Sequence, residues 1–244
     1  MKSAIITGAT GGIGTALVRK LAGCGYNLVL AGRSLQKLKT VREIARESAS
    51  EAGFDAAGCE ICCVDLTLPG TPRLLTEAAK ERFGGLDVLI NCAGIAQHDD
   101  FEAVTPEQFD RIMAVNVKAP YFLCQAALPL LRASDCASII NIASVVAHKG
   151  YPQQSVYAAS KHALLGLSKS LANEVYRDGI RVHVVSPGAV YTQMAALARP
   201  DLTPEGMTLP EDIADIVEFL LKHRNADAVI DEISVHRTNK EPFA

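Results

Sequence analysis

Ala4-Ile5-Ile6-Thr7-Gly8-Ala9-Thr10-Gly11-Gly12-Ile13-Gly14 is the stretch that decides the fold. Three consecutive apolar residues read as a buried strand. Apolar residues at helical spacing then run from Ile13 to Gly23. The glycines between the two can take φ > 0 and let the backbone approach a ligand closely. The start of the helix adds free N–H groups and the positive end of its dipole, which favour a phosphate. The spacing Gly8-x-x-x-Gly12-x-Gly14 is neither G-x-G-x-x-G nor a P-loop, which would need Gly-Lys-Ser/Thr. Its position after the first strand of an α/β chain carries the reading: Thr7, Gly8, Gly12, Ile13 and Gly14 form a pyrophosphate turn. The competing reading is a tight turn that serves packing alone.

Outward from this turn, apolar runs alternate with helical patterns. Further strands are expected at Tyr26–Ala31, Glu60–Val64, Leu86–Asn91, Ser138–Ala143, Arg181–Val185 and Val229–Val235. Between them, helical spacing recurs through Leu35, Leu38, Val41, Ile44 and Ala45, and over Thr71–Phe83. It returns over Pro106–Arg132, with a break near Pro120, over Val156–Arg177, and from Pro210 to His223. Continuous apolar strands separated by helices predict a parallel sheet covered on both faces. The expected fold is therefore α/β, a doubly wound Rossmann-type sheet of about seven strands with right-handed crossovers. No internal repeat, low-complexity tract or linker interrupts residues 1–244, so one domain is expected.

Composition agrees. The chain has 244 residues, of which 49% are hydrophobic and 21% charged, which excludes a disordered chain. The apolar N-terminal run is too short for a signal peptide, and no run approaches a membrane span. A net charge of −3 and 5% aromatics with no Trp offer neither a basic patch for nucleic acid nor a stacking platform. The seven cysteines are scattered, and most lie in apolar runs. Cys59-x-x-Cys62-Cys63 lacks a second ligand pair and sits in a predicted strand, so core packing is preferred to zinc or redox chemistry. Free thiols point to a reducing, cytoplasmic location.

The end of the second strand normally meets the adenosine ribose, where a carboxylate suits NAD and an arginine suits the 2′-phosphate of NADP. Here it reads Leu30-Ala31-Gly32-Arg33-Ser34, with no acid. Arg33 offers a planar donor fork for phosphate and Ser34 a hydroxyl, so NADP(H) is favoured over NAD(H).

Tyr157 and Lys161 lie four apart on a predicted helix and share a face. A neighbouring ammonium should lower the phenol's pKa toward a useful range. The pair is therefore a candidate proton-transfer device. Ser144 ends the fifth strand, and Asn91-Cys92-Ala93-Gly94 ends the fourth. Ligands of open α/β sheets bind at these carboxyl ends.

Taken in order, these residues resemble the short-chain dehydrogenase/reductase family, single-domain NADP-preferring branch. The resemblance runs through TGATGGIG at 7–14, Asp65, NCAG at 91–94, Asn116, Ser144, YAASK at 157–161, and Pro187-Gly188 followed by Thr192. It implies that Tyr157 is the general acid/base, that Ser144 stabilises the substrate oxygen, and that Lys161 lowers the pKa of Tyr157 and binds the nicotinamide ribose. Asn116 would hold a relay water through a local break in its helix. Asp65, with Leu66, would meet the adenine. Asn91, Ala93 and Gly94 would border the cofactor, and Pro187, Gly188, Val190 and Thr192 would line the carboxamide. The expected reaction interconverts a carbonyl and a secondary alcohol. No metal is implied.

Three departures from the family pattern stand out. Cys92 replaces the second Asn of Asn-Asn-Ala-Gly. Gly11 occupies a position that is basic in many NADP-preferring members, which leaves Arg33 to carry that preference. The C-terminus lacks the usual Gly-Gly close, which puts the family's C-terminal oligomer contacts in doubt.

Specificity should come from Ala96–Asp99, Val145–Gln154 and a substrate loop at about 190–209, which includes Met194, Ala195, Ala196, Leu197, Pro200 and Pro204. Tyr151 and Gln153 are pocket candidates. His98 and His148 read as exposed loop histidines. No charge cluster marks an anionic substrate. The two long helical regions resemble the family's packing surface, so a homotetramer or homodimer is expected. The alternatives are a non-catalytic, dinucleotide-responsive regulator on the same fold, which the presence of both Tyr157 and Lys161 argues against, and an epimerase or dehydratase with a hidden redox cycle.

Overall fold

The computed structural model describes residues 1–54, 57–192, 203 and 205–240. The strands are β1 (Ser3–Thr7), β2 (Asn27–Gly32), β3 (Cys59–Cys63), β4 (Val88–Asn91), β5 (Ser138–Ile142), β6 (Arg181–Pro187) and β7 (Glu232–Val235). They form one sheet in the order β3-β2-β1-β4-β5-β6-β7, and every pairing is parallel. Strand order reverses between β1 and β4, and that is where such sheets open a crevice for ligands.

The helices are α1 (Gly12–Gly23), α2 (Leu35–Glu51), α3 (Thr71–Phe83), α4 (Pro106–Met113), α5 (Ala119–Leu131), α6 (Ser155–Val175) and α7 (Pro210–Lys222). Adjacent strand residues point to opposite faces. Ala4 and Ile6 accordingly pack in one core with α1, α2 and α7, while Ile5 packs in the other with α3 and α5. Both faces are covered, which is why β1 reads as an unbroken apolar run. A third, smaller cluster joins Leu164 and Leu165 of α6 to Val184 of β6.

Most boundaries agree with the sequence reading within one or two residues. Three differ for physical reasons. The break in the long helical region is a π-helical turn at Ala114–Lys118, not Pro120. Pro120 lies in the first turn of α5, where a missing N–H is tolerated. β7 begins at Glu232, because Val229 and Ile230 are exposed and unpaired with β6. α6 ends at Val175 in a 3₁₀ turn, Tyr176–Asp178, closed by Gly179 at φ 74°.

Candidate active site

The glycine turn is shaped by close backbone approaches. Gly8 has φ +66°, and a Cβ there would lie 2.8 Å from the Ala93 Cα. A Cβ on Gly14 would lie 2.8 Å from the Gly8 carbonyl carbon and 2.9 Å from the Ala9 Cα. A Cβ on Gly12 would lie 2.7 Å from the Thr192 Cγ2. These three positions thus bring the β1 turn against the ends of β4 and of the segment after β6. Thr7 fastens the first junction: its Oγ1 accepts from the N–H groups of Cys92 (3.1 Å) and Ala93 (3.2 Å). Gly11 caps α1 without any side-chain bond to the helix N–H groups, so no side chain competes for that positive end. A glycine cradle and an open helix start fit a dinucleotide phosphate.

Around this cradle the remaining residues take separate places. Arg33 is exposed just beyond β2, and the Ser34 hydroxyl accepts from Lys37 N (3.4 Å) as the cap of α2. Asp65 Oδ1 accepts from Thr67 N (2.9 Å) and Thr67 Oγ1 (2.8 Å). Those bonds, with the positive charges of Arg33 and Arg111 adding to them, hold its carboxyl below the usual range. Leu66 packs against the α3/α5 core. Arg111 had no signal in the sequence to single it out. Asn91 turns inward: its Nδ2 donates to Asn141 Oδ1 (2.8 Å), and Asn141 Nδ2 donates to Ser168 Oγ (2.8 Å). This buried chain ties β4 through β5 to α6, and the polar Asn141 within the run SIINI was its visible trace. Gly188 N donates to Val235 O (2.7 Å). Val190 bridges Thr208, and Tyr191 N donates to Thr208 O (2.8 Å), so the two ends of the substrate loop are joined. Met194, Ala195, Ala196, Leu197, Pro200 and Pro204 lie outside the described residues.

Asn116, Ser144, Tyr157 and Lys161 come together at the carboxyl edge of β4 and β5. Asn116 sits in the π-helical turn, 1% exposed. Its Oδ1 accepts from Ile95 N and its Nδ2 donates to Ile95 O, both at 2.9 Å, with a further bond to Ser160 Oγ at 3.0 Å. Ser160 Oγ in turn donates to Tyr157 O (2.7 Å). Such π turns shift backbone pairing locally and are common at functional sites. Gly94 lies against both Asn116 Oδ1 and Lys161 Nζ.

The electrostatics differ from the sequence expectation. Burial pushes the Tyr157 phenol up, and a hydrogen bond from Ser144 acts in the opposite direction. Lys161 does not touch the hydroxyl: its Nζ lies 5.8 Å from the ring centroid and donates to Ile142 O (2.8 Å). Burial lowers Lys161 itself to about 8. Cys92, beside Lys161, is pushed up to about 12 by burial and is a neutral thiol. All seven cysteines are free.

One residue in the expected specificity loop has a sharper role than position alone indicated. Gln97 is 5% exposed, and its Oε1 accepts from Val156 N (2.8 Å) and Tyr157 N (3.3 Å). It caps the first turn of α6 and thereby positions Tyr157. His98 is exposed, as expected. His148 is also exposed, but its Nε2 pairs with Glu232 Oε1 at 2.7 Å.

Comparison with known proteins agrees with this fold. A family model for short chain dehydrogenase matches residues 2–203. A D-beta-hydroxybutyrate dehydrogenase of Rhizobium meliloti (strain 1021) is 35% identical over 201 residues, covering 82% of this chain and 76% of that protein. The alcohol dehydrogenase from the archaeon Thermococcus sibiricus, complexed with 5-hydroxy-NADP, superposes with a TM-score of 0.88 at 28% identity, covering 100% of both chains. A short chain dehydrogenase from Mycobacterium paratuberculosis bound to NAD superposes with a TM-score of 0.83 at 27% identity, covering 96% of each chain. No helix among the described residues is long and apolar enough to cross a membrane. The chain belongs to the short-chain dehydrogenase family, oxidoreductases of alcohols and ketones that use a nicotinamide dinucleotide.

Proposed function

We propose that the protein interconverts a carbonyl and a secondary alcohol with NADP(H), and that Tyr157 transfers the proton. The observation that carries this reading is the meeting of Ser144, Tyr157, Lys161 and Asn116 at the open edge beside the glycine cradle. The bound nicotinamide supplies or takes the hydride equivalent, and the chain supplies position and proton transfer. Thr7, Gly8, Gly12, Ile13 and Gly14 hold the pyrophosphate against the start of α1. Asp65 and Leu66 border the adenine. The backbone of Asn91, Ala93 and Gly94 would border the cofactor, while Pro187, Gly188, Val190 and Thr192 would line the carboxamide.

During reduction, the Tyr157 hydroxyl donates its proton to the substrate oxygen as charge develops there, and Ser144 donates a hydrogen bond to the same oxygen. A phenol made reluctant to ionise by burial suits the acid role. Lys161, lowered to about 8, is still mostly charged at pH 7 and opposes that reluctance through its field. Asn116, clamped to Ile95, fixes the route by which a proton returns from solvent.

The preference for NADP(H) rests on Arg33. It is exposed, stands at the adenosine end of β2, and has no carboxylate beside it on that strand tip. The homo-oligomer reading is supported by the outer side of α4 and α5, where Phe109, Tyr121 and Phe122 are exposed. The free thiols support a reducing compartment.

The test is a panel of ketones and secondary alcohols followed by NADPH absorbance, with Tyr157→Phe alongside. The variant is expected to lose turnover by about 10²–10⁴-fold while still binding cofactor. Full activity in Tyr157→Phe sinks the mechanism. Tight NADPH binding with no turnover on any carbonyl favours the regulator instead.

A further inference from the structure

Three segments are linked to the start of α6, which carries Tyr157. Residues 95–100 follow β4, residues 148–154 follow β5, and residues 205–209 close the substrate loop. The first two are stitched together: Gln153 Nε2 donates to Asp100 Oδ1 (3.0 Å), and Asp99 N donates to Gln153 O (3.1 Å). Gln153 holds φ +62° to do so, which is uncommon for a side chain of its size. The segment after β7 then crosses to the other two. Thr238 Oγ1 reaches Gly206 O and Asn239 Nδ2 reaches Glu205 O, both at 3.5 Å. A Cβ on Gly206 would lie 2.7 Å from Asn239 Nδ2, so the two strands of chain are in contact.

The crossing ends at Lys240. Its Nζ donates to Tyr151 OH (2.9 Å) and lies 5.1 Å from the centroid of the Tyr151 ring. An ammonium has three N–H donors, and Tyr151 OH accepts one of them. No carboxylate among the described residues pairs with Lys240. Of the acids in the neighbouring segments, Asp100 accepts from Gln153, while Asp99 and Glu205 make no ion pair with Lys240; Glu232 of β7 holds His148 and Ser186 (both 2.7 Å). A half-buried cation is thus held by the hydroxyl of Tyr151, with donors to spare, on the segment that leads from Ser144 to Tyr157. That is a receptor for a carboxylate, which gives a short charge-assisted bond to an ammonium already stripped of part of its water.

We propose that Lys240 is a specificity-determining residue and that the favoured substrates are carbonyl compounds bearing a carboxylate. This rests on the carbonyl-reducing function proposed above. Lys240 takes no part in proton transfer. It binds the far end of the substrate and is held in place by Tyr151, so its effect falls on substrate affinity rather than on the rate of the bound complex.

The experiment uses oxo acids whose carbonyl lies two to five carbons from the carboxyl, each paired with its methyl ester. Wild type is expected to show a KM for at least one acid tenfold or more below that of its ester. Lys240→Met should raise that acid's KM about tenfold or more, move the ester's by less than threefold, and leave kcat for the acid within threefold. Lys240→Arg should restore most of the preference, and Tyr151→Phe should lose part of it. Esters favoured over every acid, or equal effects of Lys240→Met on acid and ester, overturn the proposal. The second outcome would make the crossing segment merely structural. If no carbonyl is turned over, the reading of the whole site fails separately. Calorimetric binding of the oxo acids to wild type and Lys240→Met then decides: Lys240-dependent binding upholds the carboxylate subsite, and none overturns it.

Discussion

The half of the sheet made by β1, β2 and β3 and the half made by β5, β6 and β7 build their parts of the site by different means. In the first, the key contacts are between backbones. Gly8 lies on Ala93, Gly14 lies on Gly8, and the start of α1 is left open. In the second, side chains from distant parts of the chain do the work: Asn141 with Ser168, Glu232 with Ser186 and His148, Lys240 with Tyr151. The first half faces a ligand portion with a fixed phosphate shape, for which close backbone approach is enough. The second faces the proton transfer and the substrate, which need titratable and polar groups at set distances. Those groups cost stability when buried.

The largest test of that contrast is Lys161→Met. Lys161 is 4% exposed, and burial lowers it to about 8 from an unfolded value near 10.5. Between those two values the unfolded chain binds more protons, so stability rises as pH goes from 8 to 10.5. At neutral pH the buried charge therefore costs about 3 kcal/mol, part of which the bond to Ile142 O returns. Lys161→Met is expected to lower turnover by about 10²–10⁴-fold while raising the unfolding free energy by ~1–2 kcal/mol. Urea unfolding at pH 7 with parallel assays measures both. A less stable variant would mean that the second half is not carrying a functional charge at a cost.

Gly14→Ala probes the other half. The added Cβ meets the backbone of Gly8 and Ala9, which cannot move aside as a side chain would. Overpacking of this kind costs ~1–3 kcal/mol or more. It should also weaken cofactor binding, read by NADPH fluorescence titration, because the cradle and α1 shift together. Unchanged stability and affinity would show that the turn tolerates side chains and that the backbone contacts are incidental.

These two cases also explain what the sequence makes legible. The turn at 7–14 is contiguous, and its glycines are needed for reasons local to it, so strand, turn and helix can be read together. Tyr157 and Lys161 are legible because one helix face joins them. Gln97 is less so, since its bond to Tyr157 N spans 60 residues. Lys240 is 89 residues from Tyr151 and looks in sequence like any lysine near a chain end. The surroundings of the Tyr157–Lys161 pair were not legible in the sequence. Helical spacing puts two residues on one face, but only the fold shows that Ile142 O takes the ammonium and that burial dominates the phenol. The break near Pro120 failed for a related reason: a π turn is set by packing around Asn116, and proline at a helix start leaves no break.

Arg33→Ala is the intermediate case, a side chain at the edge of the backbone-built half. Loss of a charge-assisted bond to the 2′-phosphate is worth ~1.5–3 kcal/mol. NADPH should weaken by roughly 10–100-fold and NADH by much less. Equal weakening would remove Arg33 from the cofactor preference, and would leave that half of the site with no side-chain discrimination.

The smallest expected effect concerns pH. His183 of β6 is 4% exposed; its Nδ1 bonds Ile230 O (2.7 Å), and its Nε2 is buried without a partner. Burial lowers its pKa below the ordinary 6.5. Above 6.5 both folded and unfolded chains hold it neutral, and stability is at its full value. As pH falls below 6.5 the unfolded chain takes up a proton that the fold resists, so stability declines, by at most ~1.4 kcal/mol per pH unit for one proton. Among the described residues, the buried titratable side chains of the β1–β3 half are Tyr26 and Cys62, raised to about 12 and about 11, and neither changes charge in this range. His183→Asn keeps a donor for Ile230 O and removes the titration. Urea unfolding at pH 7.5 and 5.5 should therefore show a smaller loss on acidification in the variant than in wild type. Identical losses would place the acid sensitivity elsewhere, and would mean that the side-chain-built half carries its buried imidazole without an energetic cost in this range.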